Sequence, residues 1–362
     1  MSQPSHQPAT DTQMHSQVIA AYGKPLESAT ADLPEPKAAE VRVRVTHCGV
    51  CHSDVHLHDG YFDLGGGNQL DLRRPDPLVL GHEIEGVVEA IGPEVRHAAV
   101  GDRRVVYPWI GCAECQVCQS DNEHICATNN QLGITKPGGY ATHCLVPHER
   151  YLLNCDGIAP GLAATYMCSG LTAYAAVMKL KAALRGRPCL LIGLGGVGMM
   201  GLQFAQELLD GPILAADVDA QKLQAAKGAG AHQVYQADEK DIAARIMSDA
   251  QADGGVAAVL DFVGSEATLG LANGVVARGG QIVIVGLFGG AFQSPIPMFP
   301  LRAYAIGGSF VGSLGQAKTM LQLVQAGKIK PIPIETRPLG KATQTLSDLR
   351  AGKVLGRVVL TP

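Results

Sequence analysis

The chain has 362 residues, 46% of them apolar and only 17% charged, with a formal net charge of −4. That is enough apolar material for two cores and too little charge for a long disordered chain. With a pI of about 6.3 there is no global basic field, which excludes nucleic acid as the main partner.

The N-terminal stretch MSQPSHQPATDTQMHSQ is polar, with neither the positive nor the apolar segment of a secretory signal, and residues 1–16 read as a mobile tail. No apolar run reaches the roughly 18–20 residues of a membrane span, so a membrane partner is not expected. Residues 17–160 read as β-rich. Val41, Val43 and Val45 alternate with Arg42 and Arg44, as in a half-buried strand. Residues 84–91 and 103–106 are further strands, broken by Gly92-Pro93 and Gly101-Asp102. Short strands with frequent turns predict a barrel-like β domain.

The texture changes near residue 165. Apolar strands at 189–192, 213–217, 258–262 and 281–285 alternate with helical spacing at 197–209 and 221–228. This is the pattern of a doubly wound parallel sheet. It changes again near residue 311, and a strand at 356–360 ends the chain.

Gly193-Leu194-Gly195-Gly196-Val197-Gly198 follows a strand and opens a helix. In that context the first glycine permits the turn, the second lets a pyrophosphate approach, and the third packs helix on strand. Asp217 ends the next strand, where a carboxylate accepts hydrogen bonds from a ribose and repels a 2′-phosphate. NAD is therefore expected over NADP. The competing reading is a plain structural turn, with Asp217 as a helix cap.

The chain has ten cysteines. Their number and spacing point to metal in a reduced, cytoplasmic protein rather than to disulfides. Cys112, Cys115, Cys118 and Cys126 run C-x2-C-x2-C-x7-C. Four thiolates so close can enclose one structural Zn²⁺ with no open position. An iron–sulfur run would need a shorter last gap and a following proline, whereas Ala127 follows here. A disulfide pair is the remaining alternative. Gly49 to Asp54 and Gly81-His82-Glu83 are two further clusters. Cys51 and His82 suit Zn²⁺, and Cys168 at the domain boundary can supply a third ligand, leaving one position open. Asp54 is placed to orient the ligand histidine.

With these residues together, the chain resembles the zinc-dependent medium-chain alcohol dehydrogenases over about residues 17–362. The resemblance rests on GVCHSD (49–54), GHE (81–83), the four-cysteine lobe, GLGGVG (193–198) and LGRVVL (355–360). It implies an α/β chain with a GroES-like β-barrel catalytic domain, residues 1–165 and 311–362, carrying two Zn²⁺. A Rossmann domain, residues 166–310, would bind NAD. It implies Cys51, His82 and Cys168 as catalytic zinc ligands, with Glu83 beside the metal. Ser53 would accept the alcohol proton and His56 would pass it on. His52, Lys222 and Arg357 would hold the cofactor pyrophosphate and ribose, and Val263 and Val285 complete the cofactor set.

The implied reaction is reversible NAD-dependent oxidation of an alcohol to an aldehyde or ketone. The substrate would be a small alcohol, and a homotetramer is expected, with a homodimer as the alternative. A reductase of the same superfamily and a non-catalytic zinc or nucleotide-binding protein are the other readings. The stretch 61–77 is longer than a minimal member of the family needs and too polar for a core element, so it reads as a loop at the rim of the site or at a subunit contact. Its Arg73 and Arg74 raise ω-hydroxy acids as substrates. Trp109, the only tryptophan, sits where the family places a pocket aromatic and would favour primary alcohols.

Overall fold

The computed structural model describes residues 12–74, 77–181 and 184–362. Two sheet systems divide the chain. In the first, Val41–Gly49 is central. It pairs antiparallel with Glu83–Ile91 along one edge. His143–Val146 and the end of the C-terminal strand Arg357–Thr361 share its other edge. Val41, Val43 and Val45 are buried while Arg44 faces out, so the alternation legible in the sequence does set the faces.

The second system is a six-stranded parallel sheet. Its order across the sheet is Gln233–Gln236, Ile213–Asp217, Cys189–Ile192, Val256–Asp261, Val276–Ile284 and Ala305–Gly308. The order reverses between Cys189–Ile192 and Val256–Asp261, which is where a doubly wound sheet opens a crevice for a dinucleotide. The expected GroES-like and Rossmann architectures are thus both present.

Two local expectations change. The tail was expected to reach residue 16, of which residues 1–11 lie outside the described residues. Gln13–Ile19 is instead a strand, paired antiparallel with Glu27–Asp32. Its side chains are too polar to betray it, and its backbone bonds to residues far along the chain, as when Gln17 N donates to Tyr140 O at 2.8 Å. The stretch 61–77, of which Pro75 and Asp76 lie outside the described residues, is not a plain loop. Tyr61–Gly65 and Asn68–Asp71 form a hairpin. Gly66 (φ 60°) and Gly67 (φ 80°) make its two-residue turn, which needs left-handed backbone at both positions.

Candidate metal and cofactor site

The four-cysteine lobe gathers as its spacing predicts. The Sγ atoms of Cys112, Cys115, Cys118 and Cys126 all lie within 4.8 Å of one another. Three of the separations are 3.5, 3.8 and 3.8 Å. Four thiolates each about 2.3 Å from a tetrahedral Zn²⁺ would stand about 3.8 Å apart, so the set fits that ion. Backbone N–H groups of Cys115 and Glu114 point at Cys112 and bring its thiol down to about 6, which favours the ligating thiolate. None of the ten cysteines is in a disulfide.

The second cluster is assembled from distant segments. Cys51 caps the helix His52–Asp59, accepting from Ser53 N at 3.5 Å, and Asp54 reaches back to accept from Cys51 N at 2.9 Å. This reciprocal capping box fixes both side chains at once. Cys168 arrives on a π-helical turn, Tyr166–Gly170, wedged between the helices Leu162–Thr165 and Leu171–Leu180. Such turns recur at functional sites. The ligand atoms of Cys51, His82 and Cys168 lie within 4.8 Å of one another, and all three residues are buried. Cys51 Sγ and Cys168 Sγ are 3.9 Å apart. Hydrogen bonding from Cys168, helped by His82, holds Cys51 well below the ordinary thiol range against the burial that opposes it.

Asp54 accepts from Gly81 N at 3.3 Å, and its Oδ1 lies 3.2 Å from His82 Nδ1. It is thereby placed to orient the ring. His82 Nε2 is buried with no hydrogen-bond partner. A buried polar atom without a partner needs one, and a metal ion beside two thiols supplies it.

Glu83 is fully buried, and its Oε1 accepts from Ser169 Oγ at 2.7 Å and Ser169 N at 3.2 Å. Its Oε2 pairs with Arg357. Burial pushes the Glu83 carboxyl up, while Arg357 pulls it back. Ser169 had no signal in the sequence, because a serine beside a ligand cysteine is otherwise unremarked. Ser53 Oγ stands 3.7 Å from Cys51 Sγ. His56 packs on Phe62, with ring centroids 4.7 Å apart. Trp109 is buried, donates its indole N–H to Met167 O at 2.7 Å and sets its ring edge-on to His82 at 5.4 Å.

Across the crevice, Gly193 turns left-handed at φ 89°, and a Cβ on Gly198 would stand 1.8 Å from Gly193 O. Both glycines are therefore required by the turn and by helix–strand contact. Gly195 is open on the side where a Cβ would project, as approach of a phosphate needs, and Val197 follows it in the first turn of the helix Gly196–Leu208. The Arg357 side chain lies over Gly196, and its buried Nε has no partner. An anion at this helix N-terminus would satisfy it, so the residues fit a pyrophosphate.

His52 stands at the surface, within the field of Arg357 and Lys222. Asp217 is held by Leu194 N at 2.6 Å and Asp219 N at 2.9 Å. Lys222 lies 4.0 Å from Asp219. Val263 N and Gly264 N both donate to Asp261 Oδ1 at 3.0 Å, and Val285 N donates to Asp261 O at 2.8 Å. Asp261, which organises both valines, was missed. Its only signal was an acid ending a buried strand. At the rim, Arg73 makes a two-pronged pair with Asp71 at 2.9 Å, both side chains being solvent-exposed.

The pattern of the alcohol dehydrogenase GroES-like domain matches residues 37–156, and that of the zinc-binding dehydrogenase domain matches residues 196–326. An NAD-dependent alcohol dehydrogenase of Sulfurisphaera tokodaii is 37% identical over 353 residues, covering 96% of this chain and 100% of the relative. Among solved structures, the alcohol dehydrogenase of the hyperthermophilic archaeon Aeropyrum pernix is similar with a TM-score of 0.87 and 28% identity, over 96% of this chain and 100% of that one. A cobalt- and zinc-bound thermostable alcohol dehydrogenase of Pyrobaculum aerophilum is similar with a TM-score of 0.83 and 27% identity, over 97% and 100%.

Proposed function

Because the chain belongs to the zinc-dependent medium-chain alcohol dehydrogenases and is an NAD-dependent enzyme of that kind, we propose that Cys51, His82 and Cys168 hold a catalytic zinc ion with one position open. Cys112, Cys115, Cys118 and Cys126 hold a second, structural one. The observation that carries the first assignment is the buried, partnerless His82 Nε2 beside two thiols.

When bound, the zinc ion would supply Lewis acidity and NAD⁺ would supply the hydride acceptor. The chain's own residues do the rest. Ser53 Oγ receives the proton of the alcohol, and His56 passes it to solvent. Burial, then the neighbouring His52, lowers the His56 pKa, so its imidazole is neutral at neutral pH and free to accept. Glu83 compensates the buried Arg357, whose partnerless Nε is left for the pyrophosphate, with His52 beside it, and Lys222 helps hold the adenosine ribose. Asp217 receives the ribose, Gly193, Gly195, Gly196, Val197 and Gly198 cradle the phosphates, and Val263 and Val285 wall the cofactor. Trp109 narrows the pocket, which favours primary alcohols. An ω-hydroxy acid is the narrower alternative, with the solvent-exposed Arg73 and Arg74 of the rim as the groups that would meet its carboxylate.

We assign residues 1–165 and 311–362 to the catalytic domain and 166–310 to the dinucleotide-binding domain. The pairing of Arg357–Thr361 with Val41–Gly49 supports the return of the chain. No helix among the described residues is long and apolar enough to cross a membrane. A cytoplasmic homotetramer, or failing that a homodimer, completes the proposal. Cysteines gathered as metal-like clusters rather than as disulfides support a reducing compartment.

Metal analysis and NADH formation on one sample, over primary, secondary and benzylic alcohols and ω-hydroxy acids, test this reading. About two zinc per chain with fastest turnover on primary alcohols is the expected result. A fully folded, metallated sample that turns over no alcohol with NAD⁺ would overturn it. Asp217→Asn keeps an acceptor for Leu194 N but removes the charge. It is expected to raise KM for NAD⁺ about tenfold, the worth of one charge-assisted hydrogen bond, and to lessen discrimination against NADP⁺. Steady-state kinetics with both cofactors checks this.

A further inference from the structure

The hairpin Tyr61–Gly65/Asn68–Asp71 is almost wholly solvent-exposed on its second strand, and no packing against a core explains its order. It makes two contacts that matter. At its root, the Phe62 ring rests on the His56 ring, the planes tilted by 43°. At its tip, the backbone meets the loop that follows the strand Val276–Ile284. A Cβ on Gly65 would stand 2.7 Å from Gly290 C and 2.8 Å from Ala291 N, and one on Gly289 would stand 2.8 Å from Asp63 O. Only bare backbone allows an approach this close.

The segment it touches is itself tied to the cofactor turn. Phe288 N donates to Val263 O and Gly289 N to Gly264 O, both at 3.1 Å. Val263 and Gly264 are in turn fixed by Asp261. A continuous chain of contacts thus runs from the turn of Val263, through Gly289 and the hairpin tip, to Phe62 and His56.

We propose that Phe62 is a positioning residue for His56, and that the hairpin clasps the loop at Gly289–Ala291 so that the proton-accepting histidine and the cofactor turn are set together. The proposal rests on the reading of His56 as the proton-passing residue. His56 is half-buried at the middle of a short helix, and its neighbours Asp59 and Arg350 are engaged with each other. Phe62 is the aromatic group packed on its ring. Without Phe62 the imidazole loses the surface that selects its rotamer, and proton transfer is sensitive to such placement.

The test is a double-mutant cycle read by the single-turnover rate of NADH formation. Zinc content and KM for NAD⁺ are measured alongside. Phe62→Ala is expected to slow NADH formation about tenfold, within the range of coupling between residues in contact, while KM for NAD⁺ stays within about twofold. Phe62→Tyr, which keeps the ring, is expected to restore the rate. In a His56→Gln background, Phe62→Ala is expected to cost nothing further. If the two losses multiply, or if Phe62→Ala leaves the rate unchanged while His56→Gln lowers it, the positioning role is overturned and the assignment of His56 stands. If His56→Gln itself turns over at the normal rate, the assignment of His56 falls, and the role of Phe62 falls with it.

Discussion

Cys51→Ser is expected to lose about one zinc per chain and to cut alcohol turnover by on the order of a thousandfold, since Lewis-acid stabilisation of developing charge is worth several kcal/mol. The substitution isolates the metal for a structural reason. Cys51 is the N-cap of the helix His52–Asp59, with its Sγ accepting from Ser53 N and its own N–H donating to Asp54. Serine is a better cap than cysteine, so the helix keeps its start, and Ser53 and His56 keep their places. What is lost is the thiolate that Cys168 and His82 stabilise. Cys189→Ala is the control. Cys189 is equally buried, lies on the strand Cys189–Ile192 and belongs to no metal-like cluster. It should keep its zinc and its turnover. A Cys51→Ser enzyme with normal zinc and normal rate would show that the buried triad does not hold the catalytic ion.

Much of this site was legible in the sequence because its chemistry demands particular residue types at short, fixed spacings. The four cysteines fall in one loop, and the glycine turn and Asp217 occupy successive strand ends. The strands that carry them alternate or run apolar as their burial requires, as Val41–Gly49 and Cys189–Ile192 show. What escaped is what long-range contact decides. Ser169 matters only because a π-helical turn carries it onto Glu83. Such a turn has no periodicity of its own to read. Gln13–Ile19 is a polar edge strand held by backbone bonds, and side-chain patterning is silent there. The hairpin at Tyr61–Asp71 lacks apolar alternation, and its Gly66-Gly67 turn is hidden in a glycine run. Arg73 has its partner Asp71 two residues away, a pairing that only the side-chain geometry reveals.

The junction near residue 311 was also only partly readable, and it bears on the second large effect, which is expected of Cys112→Ser. The four-cysteine lobe is not a free appendage. Asp121, within it, accepts from Ser313 Oγ at 2.6 Å and from Gly315 N at 3.2 Å, at the start of the helix Leu314–Gln325. Glu123 is buried and accepts from Tyr151 Oη at 2.7 Å and from Arg150 at 3.0 Å. These ties hold only while the loop keeps its shape, and the loop has little besides its sulfurs to shape it. The short helix Gln116–Gln119 buries none of its residues, and Ala113 and Asp121 are held at positive φ. Zinc binding free energy is folding free energy in such a lobe. Removing one thiolate should therefore release the ion, melt the loop and leave Tyr151 and Ser313 without their partners. A loss of a few kcal/mol would lower Tm by roughly 5 °C in a chain of this size. The catalytic triad lies on other elements, so turnover per folded molecule at low temperature should remain near normal. Thermal unfolding, zinc content and initial rate on one preparation decide the matter. A Cys112→Ser protein with unchanged Tm would mean that the lobe is ordered without its metal. One that keeps its Tm but loses its rate would give the lobe a part in catalysis.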